Sequence, residues 1–143
     1  MIDRALLALA LIVFGVTAFY LWQKMPMLFV KWRYKNKPWL QSFGIWEDVP
    51  VLVYFYTAQC MKCHHQQKPI IEKVQSKFKG GQPSFNVKTI DASQYHELAK
   101  SMGVMTVPTT IWLDNKGDIF AYNSGIAPAE KLIRQIKNLT VHG

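Results

Sequence analysis

Residues 5 to 22, ALLALALIVFGVTAFYLW, carry no charge over eighteen consecutive positions. At 1.5 Å per helical residue such a run extends about 27 Å, close to the hydrocarbon thickness of a bilayer. The segment is thereby withdrawn from any globular core, and what remains of the 143 residues suffices for one small domain of about 100 residues. The following residues, QKMPMLFVKW, hold no small-x-small cleavage site, so an uncleaved single-pass anchor is expected over a signal peptide. Phe19, Tyr20 and Trp22, with Trp32, Tyr34 and Trp39 beyond, fit an interfacial aromatic belt.

The net charge of +8 is concentrated beside this segment. Lys24, Lys31, Arg33, Lys35 and Lys37 occur with no acid among them, whereas residues 38–143 hold 11 basic and 8 acidic groups. Basic residues interleaved with aromatics also occur in nucleic-acid binders. Next to an apolar span they are expected to meet anionic headgroups, so the lipid bilayer is the expected partner and nucleic acid is not. Only Arg4 and the terminal amine precede the span, so the positive-inside rule leans the C-terminal domain toward the cytoplasm. A periplasmic or other extracytoplasmic placement is the alternative, because folded domains are translocated despite flanking charge. The organisation expected is an anchor at 1–23, a basic and aromatic juxtamembrane linker at 24–49, and a domain at 50–143.

That domain opens with VLVYFY, residues 51–56, a β-branched and aromatic run apolar on both faces, as a buried strand requires. It leads through Thr57-Ala58-Gln59 into Cys60-Met61-Lys62-Cys63. From Cys60 the pattern becomes helical, with Ile70, Ile71, Val74 and Phe78 on one stripe and Gly80-Gly81 as a stop. A second strand, FNVKTID, precedes a short helix with Ser93 as its expected N-cap and Gly103 at its end. TVPTTIWLD, the turn Asp114-Asn115-Lys116-Gly117 and IFAY form an expected hairpin. A last helix, from about Pro128 to Leu139, turns Leu132, Ile133, Ile136 and Leu139 inward. The order β-α-β-α-β-β-α implies an α/β domain with a mixed four-stranded sheet flanked by helices.

The two cysteines, three residues apart, close too short a loop to constrain an unfolded chain, so their purpose is chemical. C-x-x-C suits thiol–disulfide exchange; with His64 appended, it also spells the attachment motif of a c-type haem, with Met102 or Met105 as a second axial ligand. Core packing is the simpler expectation for both methionines, and an exposed first helical turn for His64 and His65. A zinc or copper site on Cys60, Cys63 and a histidine lacks a fourth ligand, since nothing draws His96 near. No metal and no cofactor are therefore expected.

Four separated features resemble the thioredoxin family: VLVYFY running into C-x-x-C, the VPT of Val107-Pro108-Thr109, the NKGD turn, and Gly125 before the last helix. The resemblance covers residues 50 to 139. It implies a thioredoxin-like fold in a shortened form, because only about a dozen residues separate the juxtamembrane segment from the first strand. It also implies a cis-proline at Pro108, with the Val107 backbone free to pair with an extended substrate, which makes Val107 and Pro108 the substrate-binding positions. Cys60 then acts as the nucleophile, with its thiolate favoured by the helix N-terminus and by Lys62, and Cys63 resolves the mixed disulfide. The function implied is that of a membrane-tethered thiol–disulfide oxidoreductase acting on protein thiols and disulfides, with a redox partner. A haem electron-transfer protein, or a redox-silent or metal-binding module on the same fold, is the alternative. In the thioredoxin pattern a buried aspartate stands where this chain has Tyr54, and its lysine partner where it has Val87. Pro69 lies one position later than the helix-kinking proline of the family.

Overall fold

The computed structural model describes the backbone of residues 2–34 and 49–142, and side chains within 4–21 and 49–141. Helix α1 spans Ile2–Tyr34, and its segment Arg4–Leu21, none of it buried, is long and apolar enough to cross a membrane. The same length and composition also suit a signal sequence near an N-terminus. The helix runs without interruption to Tyr34, so the junction expected at residue 23 is not a helix end. The side chains of Trp22, Trp32, Tyr34 and Trp39, and those of the basic cluster, lie outside the described residues.

Strand β1 (Val51–Tyr56) is central in a four-stranded sheet ordered β2-β1-β3-β4, with β2 (Asn86–Asp91), β3 (Thr109–Leu113) and β4 (Ile119–Ser124). It pairs in parallel with β2 and antiparallel with β3, and β3 pairs antiparallel with β4. Between β1 and β2 the chain passes through a π-helical turn, Cys63–Gln67, that runs directly into α2 (Lys68–Phe78). Helix α3 (His96–Ser101) joins β2 to β3, and α4 (Ala129–His142) closes the fold. This is the thioredoxin fold, with a mixed four-stranded sheet flanked by helices.

Because successive side chains of a strand point to opposite faces, β1 divides its apolar residues between two cores. Val51, Val53 and Phe55 pack with Leu98, Ala99, Met102, Ile111 and Leu113 on the α3 side. Leu52 and Tyr54 pack with Cys63, Ile71, Val74, Trp112, Leu132 and Ile136 on the side of α2 and α4. A strand covered on both faces has no polar side, which is why VLVYFY reads as unbroken apolar sequence.

Three local expectations are corrected. Ser93 does not cap α3: its amide and hydroxyl both bond Asp91 Oδ1, at 2.9 and 2.6 Å, and the cap position falls to Tyr95 without a side-chain bond. Serine competes for nearby polar groups as readily as it caps, and here the aspartate two residues back wins. Met102 is buried as expected, but Met105 is 91% exposed on the loop before Val107. The helix expected to run uniformly from Cys60 is α-helical at Met61 and Lys62 and then widens into the π turn Cys63–Gln67. Pro69 falls in the first turn of α2, directly after the π turn.

Candidate functional site

β1 ends at Tyr56, and the turn Thr57-Ala58-Gln59 brings the chain round so that the Cys60 amide donates to the Thr57 carbonyl at 3.1 Å. Cys60 and Cys63 form a disulfide with Cα atoms 5.2 Å apart. The two sulfurs are placed unequally: Cys60 is half-buried at the start of the helical segment, while Cys63 is completely buried in the α2/α4 core. The Cys63 amide donates to Cys60 Sγ at 3.1 Å, so a helix-start N–H points at the more exposed sulfur. Lys62 lies exposed between them, beside Met61, which is also exposed.

Val107 packs, half-buried, against both cores, and Cys60 packs, also half-buried, on the α2/α4 core. The Val107–Pro108 bond is cis and Pro108 is buried. The Pro108 carbonyl accepts the amide of Gly125 at 2.8 Å, tying the VPT segment to the loop before α4. Gly125 has φ +80, a conformation that side-chain-bearing residues rarely adopt.

Tyr54, seen in the sequence only as the residue in place of an aspartate, and Gln67, not singled out there, belong to this site. The Tyr54 hydroxyl donates to the Cys63 carbonyl at 2.9 Å. Burial, and then the neighbouring Tyr56, push its pKa up to about 12, so the phenol keeps its proton. Tyr54 also lines a cavity of about 100 Å³ together with Val87, Lys68 and Glu72. The aspartate and lysine positions of the thioredoxin pattern thus face one small space, now with a phenol and a valine. Gln67, completely buried, bonds both main-chain groups of Ala127: its Oε1 accepts the amide at 2.7 Å and its Nε2 donates to the carbonyl at 3.3 Å. A glutamine followed by Lys-Pro reads as an exposed helical position, yet it stands four residues before buried Ile71 and seven before buried Val74, on the same helix face.

His64 is half-buried rather than exposed. Its Nε2 lies 3.2 Å from the Ala58 carbonyl and its ring meets Tyr56 edge-on, with centroids 5.8 Å apart. His65 is exposed as expected. Met102 packs on the α3 face of the sheet, whereas Cys63, which leads into His64, packs on the other. Among the described residues no three His, Cys, Asp or Glu side chains gather as a metal site. His96 stands beside Glu97 at 3.6 Å on exposed surface of α3.

A family model described as Thioredoxin matches residues 36–138. A protein disulfide-isomerase of Aspergillus niger is 30% identical over 69 residues, which is 48% of this chain and 19% of that protein, so the match spans about a fifth of the relative's length. The first thioredoxin domain of mouse protein disulfide-isomerase A4 has 28% identity and a TM-score of 0.58, with 73% of this chain and 72% of that one covered. A mutant thioredoxin from Halobacterium salinarum, at 24% identity, has a TM-score of 0.59 over 73% of this chain and 86% of its own. The family match extends over most of the chain and includes the cysteine pair, the VPT segment and the loop at Gly125. The chain belongs to the thioredoxin family.

Proposed function

We infer that this protein is a membrane-tethered thiol–disulfide oxidoreductase that exchanges disulfides with protein substrates through Cys60 and Cys63. The observation that carries this is the inequality of the two sulfurs: one half-exposed and facing an amide at a helix start, the other buried directly behind it. Thiol–disulfide exchange needs that arrangement, because the outer sulfur must reach a substrate and the inner one must wait for the mixed disulfide. Membership of a family that contains thioredoxins and protein disulfide-isomerase domains supports the same chemistry.

In this reading Cys60 is the nucleophile and Cys63 the resolving thiol. Lys62 supplies positive charge near the Cys60 thiolate. Val107 offers backbone to an extended substrate segment, with Pro108 fixing that backbone beside the dithiol. Residues 1–23 anchor the domain of 50–143 through the linker 24–49, and the charge bias leans that domain toward the cytoplasm. A redox partner must restore the dithiol or the disulfide after each turnover.

Trapping tests the reading directly. A Cys63→Ser variant in native membranes should accumulate proteins bound through Cys60 that are released by reductant, and the Cys60→Ser/Cys63→Ser double variant should accumulate none. Equal yields from the two variants would show that no exchange passes through this pair.

A further inference from the structure

The π-helical turn Cys63–Gln67 is held at both ends by buried polar side chains that belong to, or reach, other elements. At its start, Tyr54 Oη on β1 donates to the Cys63 carbonyl at 2.9 Å; the same carbonyl accepts the Lys68 amide, the bond that defines the wide turn. At its end, Gln67 is clasped by Ala127 in the loop before α4. A π turn holds one residue more than an α turn, and one residue corresponds to about 100° about the helix axis. With α2 fixed by buried Ile71 and Val74, reversion of the turn to α winding would swing Cys63 by about that angle relative to the helix body.

When the pair is oxidised, the disulfide itself fixes Cys63. During exchange that restraint is gone, since Cys60 is bonded to substrate and Cys63 is a free thiol. The noncovalent braces then carry the alignment alone. We propose that Tyr54 is a positioning residue for resolution, holding the Cys63 carbonyl so that its sulfur stays aligned on Cys60 while the mixed disulfide exists. This rests on the assignment of attack to Cys60 and resolution to Cys63. In the resolving step Cys63 loses its proton to water and its thiolate attacks Cys60 Sγ. The Cys60–Cys63 bond forms, the Cys60–substrate bond breaks, and the substrate sulfur leaves as a thiolate that solvent protonates. Two electrons pass from the protein dithiol to the substrate disulfide. Small misplacements of a reacting group are costly in such intramolecular steps.

The test uses the full-length reduced protein and dithiobis(nitrobenzoate), which releases one coloured thiolate on attack by Cys60 and a second on resolution by Cys63. Tyr54→Phe keeps the ring and removes the hydroxyl. The first release should proceed at the wild-type rate, while the second slows by about 3- to 10-fold, the equivalent of one buried hydrogen bond. The pH midpoint of the second release should not move, because the hydroxyl aligns the sulfur and takes no proton. Gln67→Met, which fills the space without clasping Ala127, should slow the same release. An unchanged second release in Tyr54→Phe, equal slowing of both releases, or a displaced midpoint would each overturn the positioning role. Absence of the first release in the wild-type protein would instead remove the Cys60 and Cys63 assignment, and this proposal with it.

Discussion

The Tyr54 hydroxyl and the Cys63 carbonyl meet at 2.9 Å across the boundary between β1 and the dithiol turn, in the buried core on the side of α2 and α4. The phenol is held neutral there, with its pKa pushed up to about 12 by burial. An unfolded tyrosine ionises near pH 10, so above that pH the unfolded chain releases a proton that the folded one retains. Stability associated with Tyr54 is therefore complete below about pH 10 and is lost as pH rises toward 12. Tyr54→Phe should flatten this part of the alkaline denaturation profile. Denaturant midpoints measured at neutral pH and above pH 10 would check it, and an unchanged alkaline slope would contradict it.

Unequal burial of the sulfurs predicts unequal reactivity. In the reduced protein near neutral pH, an alkylating agent should modify Cys60 well before Cys63, since only Cys60 is reachable from solvent. Lys62→Gln should slow the Cys60 reaction several-fold at low salt and less at high salt, because an exposed charge acts through screened electrostatics. Peptide mapping after timed alkylation reads both effects. Reversed order of the cysteines would refute the assignment of nucleophile.

Gln67 makes a prediction about stability. Truncation to alanine leaves a cavity and removes the partner of both main-chain groups of Ala127. An unsatisfied buried group costs about 1–3 kcal/mol, so Gln67→Ala should destabilise the domain by at least about 2 kcal/mol. Gln67→Glu should behave worse near neutral pH than at low pH, since a carboxylate is expelled from a buried site while its protonated form is tolerated. Chemical denaturation of the two variants against wild type measures this.

Which parts of the molecule were legible in the sequence follows from which physics is local. VLVYFY could be read as a doubly covered central strand because its apolar pattern lacks a polar face, and the stripes of α2 and α4 repeat at helical spacing. The dithiol, Val107, Pro108 and Gly125 were visible as motif letters. Tyr54 was noticed only as a missing aspartate, because its bond to Cys63 joins residues from separate elements. Gln67 was passed over because it is polar, although it stands four residues before Ile71 and seven before Val74 on the buried face of the helix, and its partner Ala127 lies sixty residues away. Ser93 misled because serine bonds a preceding aspartate as readily as it caps a helix. Met105 misled because hydrophobic character says little about where a loop residue points.

The apolar segment Arg4–Leu21 yields the last prediction. None of it is buried against the rest of the protein, and folding alone gives no reason for so much exposed leucine, isoleucine and phenylalanine. Burial in lipid does, since each exposed aliphatic side chain contributes roughly 1.5–3 kcal/mol on leaving water. An anchor and a cleaved signal differ in what remains of the mature chain. If the segment is an anchor, the protein isolated from cells retains residues 1–23, stays in the membrane fraction after an alkaline wash, and becomes soluble when those residues are deleted. A signal sequence would instead leave a shorter chain in the soluble fraction. Intact mass of the isolated protein separates the two, and loss of the N-terminal segment from the mature protein would refute the anchor.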